Sequence, residues 1–214
     1  MSAAIDHEYM RRAIALAKAR LGTTWPNPVV GCVIARGDDV LAETVTGPGG
    51  ADSAALRLHA EEQALVDAGE AARGATAYIT LEPCARRSSA RPSCTDRLIA
   101  AGIVRVAVAC GDPSPLAAGQ GLARLRAAAV EVETEMLADE AAFLYAGYRR
   151  RLSTGRPLIE ASDNDSGFDT EFSLLPDESL TQALQRFGAI GYTRLWVKRD
   201  GMLEQRLRGE GLLG

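Results

Sequence analysis

At 214 residues and 22.7 kDa, with 47% hydrophobic and 24% charged residues, the chain can build one packed domain with an appendage, and wholesale disorder is excluded. A formal net charge of −4, a pI near 5.3 and only 5% aromatic residues argue against a protein bound along nucleic-acid phosphates or stacking single-stranded bases. They leave room for a small basic pocket.

The opening residues MSAAIDHEYMRR turn charged before any apolar run develops, and no stretch reaches the roughly 18 to 20 apolar residues of a membrane span. The expectation is a cytoplasmic protein without membrane contact. Its cysteines, Cys32, Cys84, Cys94 and Cys110, are then read for metal or catalysis before disulfides.

Along the chain, Asp6 to Arg20 carries Tyr9, Ala13, Ile14, Leu16 and Ala17 at helical spacing. Trp25-Pro26-Asn27-Pro28 breaks that helix. Val29 to Ala35 is a β-branched apolar run, the pattern of a strand buried on both faces. Arg36 to Asp39 reads as a turn and Val40 to Thr46 as the returning strand of a hairpin. Helices follow at Leu58–Ala68, Pro92–Ala101, Leu122–Ala129 and Leu137–Leu152, alternating with strands at Thr76–Leu81, Val104–Ala109 and Val130–Glu133. Strands interleaved with helices predict an α/β layered sheet, parallel after the opening hairpin. Beyond Gly155 the composition changes: Ala161 to Glu171 reads as a polar linker, with one more helical stripe at Leu180, Ala183, Leu184 and Phe187 and a strand at Leu195–Val197. So short a tail is not expected to build a normal core unaided.

The strongest chemical feature is the trio His59 (in HAE), Cys84 (in LEPC) and Cys94 (in RPSC). Three N/S ligands leave one position of a zinc tetrahedron open, the catalytic arrangement. Glu61, two residues after the histidine, is a carboxylate that could move protons beside the metal. A histidine and two cysteines with a non-ligand glutamate are the parts of a zinc deaminase. Helix periodicity alone does not put residues 59 and 61 on one face, and they converge only in the first turn of a helix. Cys32 and Cys110 sit in apolar strands and read as core.

These residues, with PNPVVGCVI, GATAYITLEPC, CTDRLIAAGI, DPSP and GYRRRLSTGRP, resemble the cytidine deaminase-like superfamily over roughly residues 6 to 157. Within it, they resemble the deaminase half of the bifunctional riboflavin-biosynthesis proteins. The resemblance implies a cytidine deaminase-like α/β/α sandwich with a mixed five-stranded sheet, a deaminase domain over 1–157, and zinc held by His59, Cys84 and Cys94. It implies Glu61 as the proton shuttle and Asn27 as a hydrogen-bonding contact to the base or ribose. The implied reaction is hydrolytic loss of ammonia from 2,5-diamino-6-ribosylamino-4(3H)-pyrimidinone 5′-phosphate, by a homodimer acting on a small molecule.

Where the family carries histidines between its two cysteines, this chain carries Arg86, Arg87 and Arg91 in a segment of nine residues. Arginine grips phosphate with a planar fork, so these three are expected to bind the substrate phosphate. Residues 158–214, with LIEASDNDSG and RLWVKRDG, resemble the worn ends of a lost reductase domain, without a nicotinamide site. The alternatives are a deaminase of another small aminated heterocycle, or a catalytically silent zinc-binding protein.

Overall fold

The computed structural model describes residues 3–50, 58–87 and 91–214. Strand β1 (Gly31–Arg36) and β2 (Asp39–Val45) form the predicted hairpin, β3 (Thr76–Leu81) runs antiparallel to β1, and β4 (Arg105–Cys110) and β5 (Glu131–Glu133) continue in parallel. The order β2-β1-β3-β4-β5 is the expected mixed five-stranded sheet.

The alternation of a strand explains how an all-apolar run is shared between two faces. Cys32, Ile34, Ala77, Ile79, Val106 and Val108 form one core. They pack with Ala60 and Ala64 of α2 (Ala60–Ala68), Leu98 of α3 (Cys94–Ala101) and Leu122 and Leu125 of α4 (Gln120–Ala127). Tyr78, between Ala77 and Ile79, faces the other way: its ring lies 5.3 Å from that of Tyr9 on α1 (Ala3–Ala19). At Gly31 a Cβ would stand 2.0 Å from the Ala13 carbonyl oxygen, so only glycine lets α1 lie against β1.

Helix α1 buries Tyr9, Ala13, Ile14 and Ala17 as its spacing predicts, and also a carboxylate, Asp6. Asp6 accepts from the Tyr78 hydroxyl at 2.6 Å and from both terminal nitrogens of Arg105 at 2.8 and 3.1 Å. Burial pushes the Asp6 carboxyl up, but the Arg105 and Tyr78 hydrogen bonds outweigh it and hold the group below its ordinary value.

The chain divides into two compact units. The first takes in the described residues of Met1–Lys18, Val30–Gly47 and Leu56–Phe143, the second those of Ala19–Val29, Pro48–Ala55 and Leu144–Gly214. Helix α5 (Ala138–Thr154) runs through the division.

The second unit corrects the reading of the tail. Where the composition suggested a linker, β6 (Leu158–Ser162) and β7 (Thr170–Glu171) flank β8 (Arg194–Lys198) in a three-stranded parallel sheet ordered β6-β8-β7. Helices α6 (Leu180–Ile190) and α7 (Met202–Gly209) complete it. Ile159, Phe172, Leu184, Phe187, Leu195 and Leu207 build a core of its own. The polarity that disguised this segment is partly internal, because Asp169 accepts from the Thr193 hydroxyl and from the backbone N–H of Thr193 and Arg194. Among the described residues no helix is long and apolar enough to cross a membrane.

Candidate active site

Helix α2 begins at Ala60, so His59 is its N-cap residue rather than part of its first turn, with extended backbone angles and no capping hydrogen bond from its side chain. Its backbone is held by β2 and the loop after it. Thr44 Oγ1 donates to the Ala60 carbonyl at 2.7 Å, the Gly47 N–H donates to the Leu58 carbonyl at 3.1 Å, and Gln63 Nε2 donates to the Val45 carbonyl at 2.9 Å. An imidazole freed from capping and fixed at its base is suited to ligation.

Cys84 leaves the end of β3, and Cys94 is the first residue of α3. Ser93 caps that helix in a reciprocal box with Asp96. The Cys94 N–H donates to Cys84 Sγ at 3.3 Å, and the Thr95 N–H and hydroxyl donate to the Cys84 carbonyl at 3.2 and 3.0 Å. The first N–H of α3 thus points at Cys84 Sγ, where it favours the thiolate, while Thr95 fixes the Cys84 backbone.

His59 Nδ1 lies 3.2 Å from Cys94 Sγ and 3.8 Å from Cys84 Sγ, and the donor atoms of all three residues lie within 4.8 Å of one another. Among the described residues this is the group of histidine, cysteine and acidic side chains that could hold a metal ion. A hydrogen bond from the Cys94 thiol, helped against burial by His59 and the Cys94 N–H, holds the Cys84 thiol well below its ordinary value. The same hydrogen bond and burial push the Cys94 thiol up. One imidazole and two thiols fit the N/S donor set that zinc prefers. None of the four cysteines is in a disulfide; Cys32 and Cys110 are buried core residues, as expected.

Glu61 joins this group because the first turn of α2 follows directly from the N-cap. It is 3% exposed and lies within electrostatic reach of His59, Cys84 and Cys94. Burial pushes its carboxyl above the ordinary range, against the pull of His59.

The three arginines have distinct fates. Arg86 is exposed and donates to the Pro115 carbonyl at 3.1 Å. Arg87 is buried, and its Nη1 lies 2.9 Å from Glu62 Oε2; Arg91, nearer the surface, places Nη2 3.0 Å from Glu62 Oε1. Asn27 belongs to the second compact unit, in a turn where its N–H donates to the Thr24 carbonyl and Thr24 Oγ1 donates to its own. Glu62, which collects the arginines, escaped the sequence reading. Its one signal is an excess of arginine around Cys94, with Arg86, Arg87, Arg91 and Arg97 set against a single acid, Asp96.

A family model described as the cytidine and deoxycytidylate deaminase zinc-binding region matches residues 3–110. The riboflavin biosynthesis protein RibD of Escherichia coli (strain K12) is 44% identical over 155 residues, covering 72% of this chain and 40% of that protein. The diaminohydroxyphosphoribosylamino-pyrimidine deaminase of Buchnera aphidicola subsp. Acyrthosiphon pisum is 41% identical over 152 residues, covering 71% of this chain and 99% of that protein. Among solved structures, Acinetobacter baumannii RibD superposes with a TM-score of 0.81 at 26% identity, covering 99% of this chain and 85% of that one. A deaminase/reductase from Thermotoga maritima gives 0.66 at 31% identity, covering 79% and 45%. The chain spans about two fifths of the length of the first curated relatives it matches.

Proposed function

This chain belongs to the cytidine and deoxycytidylate deaminase zinc-binding family, and from that premise we propose that it is a zinc-dependent hydrolytic deaminase of riboflavin biosynthesis. The substrate is 2,5-diamino-6-ribosylamino-4(3H)-pyrimidinone 5′-phosphate, in keeping with the name of the Buchnera relative that the chain covers almost entirely. The observation that carries the reading is the buried Glu61 beside three donor atoms within 4.8 Å of one another. A site with only a structural task has no use for that carboxylate, which sets aside a silent zinc-binding protein.

His59, Cys84 and Cys94 would hold the zinc, which when bound supplies a Lewis acid that draws the pKa of water towards neutrality. Glu61 takes a proton from the attacking water on a carboxylate oxygen. It delivers that proton to the ring nitrogen, then takes the remaining proton from the new hydroxyl and passes it to the departing amine, which leaves as ammonia while the ring carbon keeps the oxygen as a carbonyl. Enclosure of Glu61 keeps bulk water from competing for those protons. Arg86 and Arg91, which reach the surface, are the candidates for the substrate phosphate, and Asn27 for a hydrogen bond to the base or ribose.

The likeness to Acinetobacter baumannii RibD runs through the second unit as well. It supports reading residues 158–214 as the shortened counterpart of a reductase domain. The family resemblance supports a homodimer working in the cytoplasm. Ammonia release over a panel of aminated heterocycles tests the substrate. The phosphorylated diaminopyrimidine should be turned over at least a hundredfold faster than cytidine or deoxycytidylate. A preference for another heterocycle would keep the deaminase and overturn the substrate.

A further inference from the structure

We propose that Glu62 is a positioning residue for the metal centre, holding the chain around all three donor residues through one buried carboxylate. The inference rests on the reading of His59, Cys84 and Cys94 as ligands. Its starting point is a regularity of spacing. Glu62 stands three residues after His59, Arg87 three after Cys84, and Arg91 and Arg97 three on either side of Cys94. All three guanidinium groups converge on Glu62: Arg87 at 2.9 Å, Arg91 at 3.0 Å and Arg97 at 2.9 Å. Arg87 holds the segment between the cysteines where it leaves Cys84, and Arg91 where it approaches Cys94. Arg97 ties the same carboxylate to α3.

Burial gives this cluster its meaning. The Glu62 and Arg87 side chains are each only 5% exposed, whereas Arg91 and Arg97 are 41% and 29% exposed. Taking a carboxylate and a guanidinium out of water costs several kcal/mol each, and apolar residues of similar volume would stabilise the fold at least as well. What the ionic cluster provides that apolar packing does not is direction. Arg87 meets Oε2 of the carboxylate through Nη1, while Arg91 and Arg97 meet Oε1 through Nη2, so the two oxygens are divided between the chain next to Cys84 and the chain on either side of Cys94. Helix α2 places that carboxylate one residue beyond Glu61, so the element that sets the histidine also sets both cysteine neighbourhoods. Groups that orient metal ligands from behind govern how firmly the metal is held, commonly ten- to hundredfold in affinity or activity.

The test is the rate at which the zinc-loaded protein gives up its metal to a chromogenic chelator. Glu62→Gln keeps the shape and loses the charge; it should release zinc about ten- to hundredfold faster than wild type. Glu62→Asp, which keeps the charge, should recover part of that loss. Asp6→Asn lowers stability without touching this cluster and should release zinc at the wild-type rate, which separates positioning from general loosening. Should Glu62→Gln fail to fold, Arg91→Gln and Arg97→Gln remove partners that are partly exposed, and each should speed release by a few-fold. A wild type that binds no zinc overturns the metal assignment and this proposal with it. A wild type that holds zinc, beside a folded Glu62→Gln or a pair of arginine variants that release it no faster, overturns this proposal alone.

Discussion

Replacing Arg87 and Arg91 separately should give two different kinds of loss, although they lie four residues apart in one arginine-rich segment. Arg87 is enclosed with Glu62, each side chain 5% exposed. Removing one partner of a buried pair costs about 3–5 kcal/mol, and because Arg91 and Arg97 remain on Glu62 the lower end applies, about 3 kcal/mol. For a chain of this size that is a fall in Tm of about 6–12 °C. Arg91 is 41% exposed, so Arg91→Ala should cost less than about 1 kcal/mol of stability. If its guanidinium meets the substrate phosphate, the same change should remove about 1.5–3 kcal/mol of transition-state binding, roughly ten- to hundredfold in kcat/KM. The assay is a cycle of each variant against substrate with and without its phosphate, beside thermal unfolding of the zinc-loaded proteins. Arg91→Ala should lose its penalty on the substrate lacking phosphate, and added salt should weaken wild type more than the variant. Arg87→Ala should lose stability, with whatever activity remains impaired equally on both substrates. An Arg87→Ala protein of unchanged Tm with a phosphate-selective defect would refute the division of roles. Equal losses for Arg91→Ala on both substrates would refute its contact with phosphate.

Asp6→Asn should destabilise the first unit by about 2–3 kcal/mol at neutral pH, because it removes an acceptor shared by Tyr78 and Arg105; denaturant unfolding measures it. The Asp6 carboxyl is held below its ordinary value in the folded state, so its contribution is complete above the unfolded pKa of about 3.9 and is lost as pH falls through the folded value. The gap between wild type and Asp6→Asn should be constant above about pH 5 and close on further acidification, and a gap that widens in acid would contradict the assignment.

The central sheet was legible because its strands are short apolar runs with unambiguous punctuation. Val29 to Ala35 and Thr76 to Leu81 needed no tertiary information, and α3 ends at Ala101 as expected, closed by Gly102 in the left-handed conformation. The donor trio was legible from residue type and spacing, but its convergence with Glu61 was not. That depends on α2 starting one residue after His59, a boundary fixed by Thr44 and Gly47 from a distant part of the chain. Two things stayed hidden for the same reason, that their partners are remote in sequence. Glu62 looked like one more acid at a helix start until three arginines closed on it. Ala161 to Glu171 looked like linker because β7 is two residues long and the buried Asp169 finds its donors at Thr193 and Arg194. Polar residues with internal partners cannot be told from solvated ones by composition.

The decisive measurement pairs zinc content with ammonia release in wild type, Cys84→Ala and Glu61→Gln. Wild type should carry one zinc per chain and release ammonia from the phosphorylated diaminopyrimidine, whereas Cys84→Ala should lose the metal and the turnover together. Glu61→Gln should retain the zinc, because its side chain is not among the donors, and lose turnover by about 10²- to 10⁴-fold, since an amide cannot carry the protons. Zinc retained undiminished in Cys84→Ala, or a Glu61→Gln protein within a few-fold of wild type, would contradict the assignment of the active site.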